Sequence, residues 1–169
     1  CGMLILDHDD RRDALSWYQQ QPQAQPEWLV GAPLHAINPR LSPEFEQALW
    51  CKDIAHVRNP RLLKALVKHL EKIGVKLVKN CEIVQFEQQG RQITGLIDQQ
   101  QQRWTADHYV ICSGAWSGQL AELIGLELPV QPIKGQMISY KAPTRWLSTI
   151  VMHQNMYLIP RLDGHILCG

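Results

Sequence analysis

The stretch from residue 106 to residue 123, ADHYVICSGAWSGQLAEL, most constrains how this chain folds. Residues 109–112 form a continuous apolar run, which is typical of a parallel strand covered on both faces. The small residues Ser113 and Gly114 follow, and helical spacing begins at Trp116. A strand, a tight turn and a helix in this order present backbone N–H groups to ligands at the carboxyl end of an α/β sheet. Every βα unit contains such a turn, however, so the rest of the chain must decide whether it binds anything.

Composition excludes several classes of protein. The 169 residues carry a formal net charge of +1 and are 45% hydrophobic, which is ordinary for a globular protein and gives no basic field for nucleic acid. No apolar run approaches the roughly 18 residues that a transmembrane helix needs. Residues 7–13 are highly charged where a signal peptide would be apolar. We therefore expect no nucleic-acid partner, no transmembrane segment and no signal peptide.

The cysteines point to a reducing compartment. Five occur, at positions 1, 51, 81, 112 and 168, and no two form a CxxC pair. An odd, scattered set argues against zinc sites and against a disulfide framework, so a cytoplasmic protein is expected. We expect most of them, including Cys112, to be small buried hydrophobic residues.

Both ends of the chain lie inside strand-like runs. Residues 1–6 are already apolar, and residues 165–169 stop within another such run. Strands that begin or end a domain in this way lack their partners. We expect this chain to be an internal piece of a longer protein.

The clearest helix begins near Asn59, which can cap it, with Pro60 at the first position. It has one apolar face, made by Leu62, Leu63, Leu66, Val67, Leu70 and Ile73, and Gly74 ends it. A strand at 75–78 should follow. Ahead of this helix, the sequence predicts a strand at 2–6, a helix at 9–20 with Asp10 or Asp13 near its start, a loop at 19–26, and a short helix from Ser42 to about Leu49.

After the strand at 75–78, apolar residues recur at every second position, as in β-strands. Runs at 82–87, 92–98 and 103–112, separated by the polar loops 88–90 and 99–102, predict a three-stranded β-meander that leads into the turn at Ser113. A long strand at 130–141 with Gly135 inside it follows, and then short strands at 148–152, 156–160 and 165–168. The fold class is therefore α/β (α+β), with an α/β module at 57–124 and a largely antiparallel sheet built from 1–56 and 125–169.

Motif searches exclude the common catalytic sites. The sequence contains no GxGxxG, no Walker A loop, no HExxH and no GxSxG, and no two histidines stand at i, i+4. We therefore expect no metal site and no Ser113 nucleophile. Gly135 inside a strand suggests a bulge or the close approach of a ligand. Spacing alone favours Tyr157 as a core aromatic residue and Arg161 as a surface charge.

Three segments in order carry a family resemblance: VRNPRLLKALVKHLEKIGV, ADHYVICSGAWSGQLAELIGLELPVQPIKGQM and MYLIPRLDGHILCG. Together they resemble the D-amino-acid oxidase family of FAD-dependent amine oxidases, and most closely its glycine-oxidising branch, which is linked to thiamine biosynthesis. The resemblance implies a partial FAD-binding module with a β-meander, at 57–124, beside a substrate-domain sheet. It also implies an enzyme that uses FAD and transfers hydride from the substrate Cα to the flavin.

The resemblance assigns seven positions to the site: Val84, Ser113, Gly114, Trp116, Gly135, Gln136 and Tyr157. The backbone of Val84 would meet the adenine, and the turn at Ser113 would lie beside the FAD. Gly135 and Gln136, near Lys134, would pass close to the flavin ring. Tyr157 would be the active-site tyrosine that faces the substrate.

Two parts of the family pattern find no match in the chain: the N-terminal GxGxxG and the arginine that binds the substrate carboxylate, which Arg161 does not match. We expect a fragment of an oxidase that deaminates glycine or another small amino acid to the imine and oxo acid, with O2 as acceptor and H2O2 as product. Alone, it should bind no FAD and be inactive. Sarcosine oxidase and D-amino-acid dehydrogenase are alternatives, as is a non-catalytic α/β binding or assembly module.

The pairing of the terminal strands distinguishes a non-catalytic binding or assembly module from an enzyme fragment. A fragment should have open edges at Leu4 and Ile166, available for homo-oligomer formation, whereas a self-sufficient module should have paired terminal strands.

Overall fold

The structure is a computed structural model that describes residues 1–21, 25–142 and 146–169. The chain separates into two compact units, one made of residues 1–59 and 135–169 and the other of residues 60–134. The predicted boundaries lay at 56/57 and 124/125, and the assignment of the segments to an FAD-binding and a substrate domain stays a prediction. The predicted loop at 19–26 lies partly outside the described residues.

Ten strands and four α-helices are found in the described ranges. The first part of the chain contains β1 (Met3–Ile5), α1 (His8–Tyr18), β2 (Glu27–Val30), α2 (Ala32–Ile37), β3 (Gln47–Cys51) and α3 (Asn59–Lys72). The middle part contains β4 (Ile83–Gln89), β5 (Gln92–Asp98), β6 (Arg103–Trp104), a 3₁₀ turn (Gly114–Trp116) and α4 (Ser117–Glu122). The last part contains β7 (Ile138–Lys141), β8 (Ile150–His153), β9 (Met156–Pro160) and β10 (His165–Cys168).

The first unit is built on one mixed sheet with the strand order β2-β3-β1-β8-β9-β10-β7. Its neighbouring strands are antiparallel except for β1 and β8, which are parallel. One face carries a core around Leu4, Ala48 and Val151, against which α2 places Leu34. On the other face Ile5 and Leu49 pack with Tyr18 of α1. The predicted largely antiparallel sheet is confirmed.

Helix α1 is capped by an aspartate, Asp7. The Asp7 carboxylate accepts hydrogen bonds from the backbone N–H groups of Asp9 (3.0 Å) and Asp10 (3.5 Å), as an N-cap does. Asp10 lies in the first turn, near the helix start as predicted, whereas Asp13 lies further along the helix. Asp10 is buried, and its carboxylate accepts a hydrogen bond from the backbone N–H of Asn155 at 3.3 Å.

The helix predicted from Ser42 to Leu49 is wrong. Residues 43 and 44 form a turn, in which the Ser42 carbonyl accepts from the Phe45 N–H at 3.1 Å, and strand β3 follows. Ser-Pro begins turns as readily as helices. The strand prevails because Ala48, Leu49 and Cys51 are buried within the sheet, where β3 pairs with β1 on one side and β2 on the other.

The second unit contains α3, a meander and α4. Helix α3 forms where its apolar period predicts it, yet none of its 14 residues, all of which are described, is buried. Strands β4, β5 and β6 form the predicted antiparallel meander in that order. The third strand is shorter than predicted, because pairing ends at Trp104.

Three predicted strand segments have no ladder partner among the described residues: 75–78, 109–112 and 130–137. These strand predictions were wrong. An apolar run gives a segment the tendency to be a strand, but the strand exists only where a neighbouring backbone accepts its hydrogen bonds. Several of their side chains are exposed as a result, including Val78, Val110 and Ile133.

The terminal strands are paired on both sides. β1 lies between β3 and β8, and β10 lies between β9 and β7, so the expected open edges at Leu4 and Ile166 were wrong. Within the described ranges the sheet edges are β2 and β7, and β4 and β6 in the meander.

Candidate functional site

In the second unit, the candidate site includes the turn of small residues that starts at Ser113. Gly114 opens the 3₁₀ turn with a φ of 57°, in the left-handed region that favours glycine. The backbone N–H of Trp116 donates to the Ser113 carbonyl at 3.2 Å. A Cβ placed on Gly114 meets nothing within 4 Å, so one side of this turn is open.

The helix behind the turn is held by close backbone packing. Gly118 is buried in α4, and a Cβ placed there would lie 2.9 Å from the Val130 carbonyl oxygen. Trp116, the last residue of the 3₁₀ turn, is in contrast 60% exposed. The turn therefore presents Gly114 and Trp116 to solvent at the start of a fixed helix, while Ser113 is half-buried.

An apolar groove of about 440 Å³ runs from the meander to this turn. Its walls include residues of β4, β5 and β6 and the segment 105–113, among them Ile83, Phe86, Trp104, Tyr109 and Ser113. Cys112 lines the groove and is exposed. The expectation that most cysteines are buried was wrong, because only Cys51 is buried while Cys1 is exposed and the other two are half-buried.

Val84 lies at an irregularity of the meander. The register of β4 on β5 shifts between Ile83 and Gln85, so Val84 is an extra residue without a partner opposite it. Strand β4 is also an edge strand. A bulge on an edge leaves backbone groups available to a ligand. Alternating polarity in the sequence gave no sign of this bulge.

A buried carboxylate that sequence reasoning missed organises the end of the meander. Asp98 is 3% exposed and accepts hydrogen bonds from Trp104 Nε1, Gln100 N and Gln102 N, each at 2.9 Å. The Trp104 hydrogen bond, followed by those from the two backbone N–H groups, holds the pKa of Asp98 below its usual value. Asp98 thus fixes Trp104 in the groove wall. The signal was an Asp directly before the polar loop at 99–102, where an Asx turn is typical.

Tyr157 lies in the first unit, on β9. It is opposite Met152 of β8 on one side and forms two backbone hydrogen bonds with Gly169 on the other. The side chain is half-buried, and no hydrogen bond of its hydroxyl is found among the described residues. This arrangement differs from the core aromatic with a satisfied hydroxyl that spacing alone favoured.

Gly135 and Gln136 are not inside a strand, contrary to the sequence prediction, and both are exposed. They precede β7, whose first residue Ile138 is paired with Cys168, and Cys168 is paired with Leu158. The segment therefore enters the sheet at the end where Tyr157 lies.

A second polar cluster, also missed from the sequence, occupies the turn between β9 and β10. The Asp163 carboxylate accepts from Arg58 Nη1 at 2.9 Å and lies 3.0 Å from His165 Nδ1. The hydrogen bonds from His165, with smaller contributions from its charge and that of Arg58, lower the pKa of Asp163 to about 2. Arg161 uses its backbone N–H to bond the His165 carbonyl at 2.8 Å. This cluster stabilises the turn.

The seven predicted site residues thus fall into two groups. Ser113, Gly114 and Trp116 share one turn, and Val84 lies on the meander of the same unit. Gly135, Gln136 and Tyr157 belong to the first unit. The described residues contain no group of three His, Cys, Asp or Glu side chains that could hold a metal ion, and no described helix is long and apolar enough to cross a membrane.

Comparison with known proteins identifies the family. The FAD dependent oxidoreductase (DAO) family model matches residues 1–169. The chain is 40% identical to the glycine oxidase of Pseudomonas putida and 36% identical to that of Pseudomonas aeruginosa, in each case over 99% of this chain and 46% of the relative. The chain therefore spans about half the length of these relatives.

Solved structures agree with the sequence relatives. The crystal structure of glycine oxidase from Geobacillus kaustophilus superimposes with a TM-score of 0.85 at 25% identity, covering 99% of this chain and 46% of that one. The L-proline dehydrogenase of P. horikoshii, at 18% identity and a TM-score of 0.81, shares the fold. The family resemblance found in the sequence is confirmed: this chain belongs to the DAO family of FAD-dependent oxidoreductases.

Proposed function

We propose that the protein containing this chain is an FAD-dependent oxidase that deaminates glycine or another small amino acid. The observation that carries the proposal is the 40% identity to a glycine oxidase over 99% of the chain. The imine product would hydrolyse to the oxo acid, and O2 would accept the electrons to give H2O2. A cytoplasmic location and a homo-oligomer, which does not use the paired strands at Leu4 and Ile166, belong to the same proposal.

The second unit fits a role in holding the FAD. The open, left-handed turn at Gly114 allows a nucleotide to approach the backbone, which a side chain would prevent. The bulge at Val84 on an edge strand offers backbone groups of the kind that bind an adenine edge. We assign Val84, Ser113, Gly114 and Trp116 to the nucleotide, and these features support the assignment.

The first unit fits a role in holding the substrate. FAD, when bound, would supply the chemistry by accepting hydride from the substrate Cα. Such a reaction needs little acid–base catalysis, so positioning of the amino acid dominates. We assign this positioning to the half-buried Tyr157 and to Gly135 and Gln136, which enter the same end of the sheet.

The test is an assay of the full-length protein for peroxide release with glycine, sarcosine and D-alanine. We expect release with glycine at a kcat/KM at least equal to the other two. Release with sarcosine or D-alanine alone would replace the glycine specificity by one of the alternatives. No peroxide, with reduction of an artificial acceptor instead, would indicate a dehydrogenase, and no turnover at all with a flavin-free protein would favour a binding module.

Tyr157→Phe sharpens the assay. Loss of one hydrogen bond to the substrate is worth about 1 kcal/mol, so kcat/KM should fall several-fold. Tyr140→Phe is the matched control, because Tyr140 lies on the edge strand β7, which β10 separates from β9, and is 54% exposed. Equal kinetics for the two variants would remove Tyr157 from the site.

A further inference from the structure

Tyr157 and Gly169 lie directly opposite one another at the end of β9 and β10. The Tyr157 N–H donates to the Gly169 carbonyl at 2.9 Å, and the Gly169 N–H donates to the Tyr157 carbonyl at 3.2 Å. Two residues that exchange both hydrogen bonds project their side-chain positions onto the same face of an antiparallel pair. The empty side-chain position of Gly169 is therefore beside the ring of Tyr157.

The phenol end of Tyr157 occupies that empty position. A Cβ placed on Gly169 would lie 2.5 Å from the tyrosine Oη, 2.6 Å from Cζ and 3.0 Å from Cε2. Distances below 3.0 Å are essentially never seen for real Cβ atoms, so any larger residue at 169 must displace the ring or the strand. The contact involves the hydroxyl-bearing end of the ring, which is the part that the proposed function uses.

Packing alone holds the hydroxyl in place within the described residues. No hydrogen bond of the Tyr157 hydroxyl is found there, while Met152 fills the side-chain position opposite Tyr157 on the β8 side. A ring between a large neighbour and a glycine leans over the glycine, as aromatic residues do across strand pairs. The direction of the lean is thus determined by which of the two neighbours lacks a side chain.

We propose that Gly169 is a positioning residue for the active-site tyrosine. Its missing side chain lets the phenol of Tyr157 lie across β10, and this fixes the hydroxyl at the sheet end where residues 135–136 enter. The inference rests on the proposed role of Tyr157 in binding the substrate. It adds a specificity determinant that acts through Tyr157 and does not itself touch the substrate.

The same sheet contains a matched control. A Cβ on Gly2 would meet the ring of Trp50, with Cη2 nearest and Cζ2 and Cζ3 each at 2.6 Å, and Gly2 is buried with a φ of 71°. Gly2→Ala therefore introduces a glycine–aromatic clash elsewhere in the sheet that is more severe than the one at Gly169, with backbone strain in addition. It reports the cost of such a clash without involving Tyr157.

The experiment uses the full-length holoenzyme labelled with 3-fluorotyrosine, in which the ¹⁹F resonance of Tyr157 is assigned by Tyr157→Phe. Gly169→Ala should shift this resonance. It should also lower kcat/KM for glycine several-fold, as Tyr157→Phe does, since a displaced hydroxyl loses the same hydrogen bond to the substrate. Gly2→Ala should lower the melting temperature at least as much, while the Tyr157 resonance and kcat/KM stay at their wild-type values.

A double-mutant cycle completes the test. In a Tyr157→Ala background, Gly169→Ala should change kcat/KM less than twofold. If Gly169→Ala alone does not fold, adding Tyr157→Ala should restore folding. An unshifted resonance with wild-type kinetics in Gly169→Ala, or a clash that persists in the Tyr157→Ala background, would overturn the inference. If the wild-type protein oxidises no amino acid, the proposed function fails, and the ¹⁹F shift still decides whether Gly169 positions Tyr157.

Discussion

The two units of this chain bury their apolar side chains very differently. In the first unit Leu4, Leu34, Ala48 and Leu49 are 0% exposed, because both faces of the sheet are covered there. In the second unit the apolar face of α3 is exposed, with Leu63 at 61%. A contiguous exposed apolar face is typical of an interaction surface. The turn that we propose to bind the nucleotide therefore lies in the unit in which more of the apolar side chains are exposed.

The first prediction tests this difference with one substitution in each unit. Leu49→Ala in β3 should lower the free energy of unfolding by about 2–5 kcal/mol, because it leaves a cavity in a closed core. Leu63→Ala in α3 should change it by less than about 0.5 kcal/mol, since that side chain is already in solvent. Urea denaturation of the 169-residue chain, followed by circular dichroism, measures both. Equal losses would show that the α3 face is covered.

The second prediction compares two glycines. Gly118→Ala should destabilise the second unit by about 1–3 kcal/mol, because the new methyl group would press on the Val130 carbonyl oxygen at 2.9 Å. Gly135→Ala should be within about 0.5 kcal/mol of wild type, because nothing lies within 4 Å of its Cβ position. Thermal unfolding of the two variants checks this. A stabilised Gly118→Ala would mean that helix propensity outweighs the backbone contact.

The third and smallest effect is a pH dependence in the first unit. Folding lowers the pKa of Asp163 from 3.8 to about 2, so its ionised form stabilises the folded state above pH 4. That contribution disappears as the pH falls from about 4 to about 2, and it is reduced by solvent because the side chain is 37% exposed.

Asp163→Asn removes this titration. The urea midpoint of the variant should therefore fall less steeply than that of wild type between pH 4 and pH 2. Asp107→Asn is the control, since Asp107 is exposed and makes no hydrogen bond among the described residues. If the urea midpoints of wild type and Asp163→Asn fell equally steeply between pH 4 and pH 2, the assignment of this pH dependence to Asp163 would be contradicted.

The sequence predicted elements whose stabilising contacts are local. Helix α3 and the hairpin of β4 and β5 followed from period and turn residues, and both formed close to the expected positions. The run at 109–112 was predicted as a strand and formed none, because its partner is not determined by its own residues. Strand β3 was missed for the converse reason: two neighbouring strands stabilise it although Ser42-Pro43 favoured a helix start.

The features of the candidate site also differ in whether the sequence could predict them. Gly114 and Tyr157 were identified because a family resemblance fixed their places in the chain. The bulge at Val84 and the packing of Tyr157 on Gly169 depend on register between strands. Register is a property of two segments together, so inspection of either segment alone could not find these features.

The most direct test of the proposed nucleotide site compares Gly114→Ala with Gly125→Ala in the full-length protein. Both glycines have positive φ, 57° and 74°, and neither Cβ would meet anything within 4 Å, so the two substitutions carry similar backbone strain. Only Gly114 lies in the turn assigned to FAD. Titration of the apoprotein with FAD, followed by flavin fluorescence, should give a Kd about tenfold higher for Gly114→Ala, equivalent to about 1.4 kcal/mol, and an unchanged Kd for Gly125→Ala. Equal FAD affinity in the two variants would contradict the assignment of this turn to the cofactor.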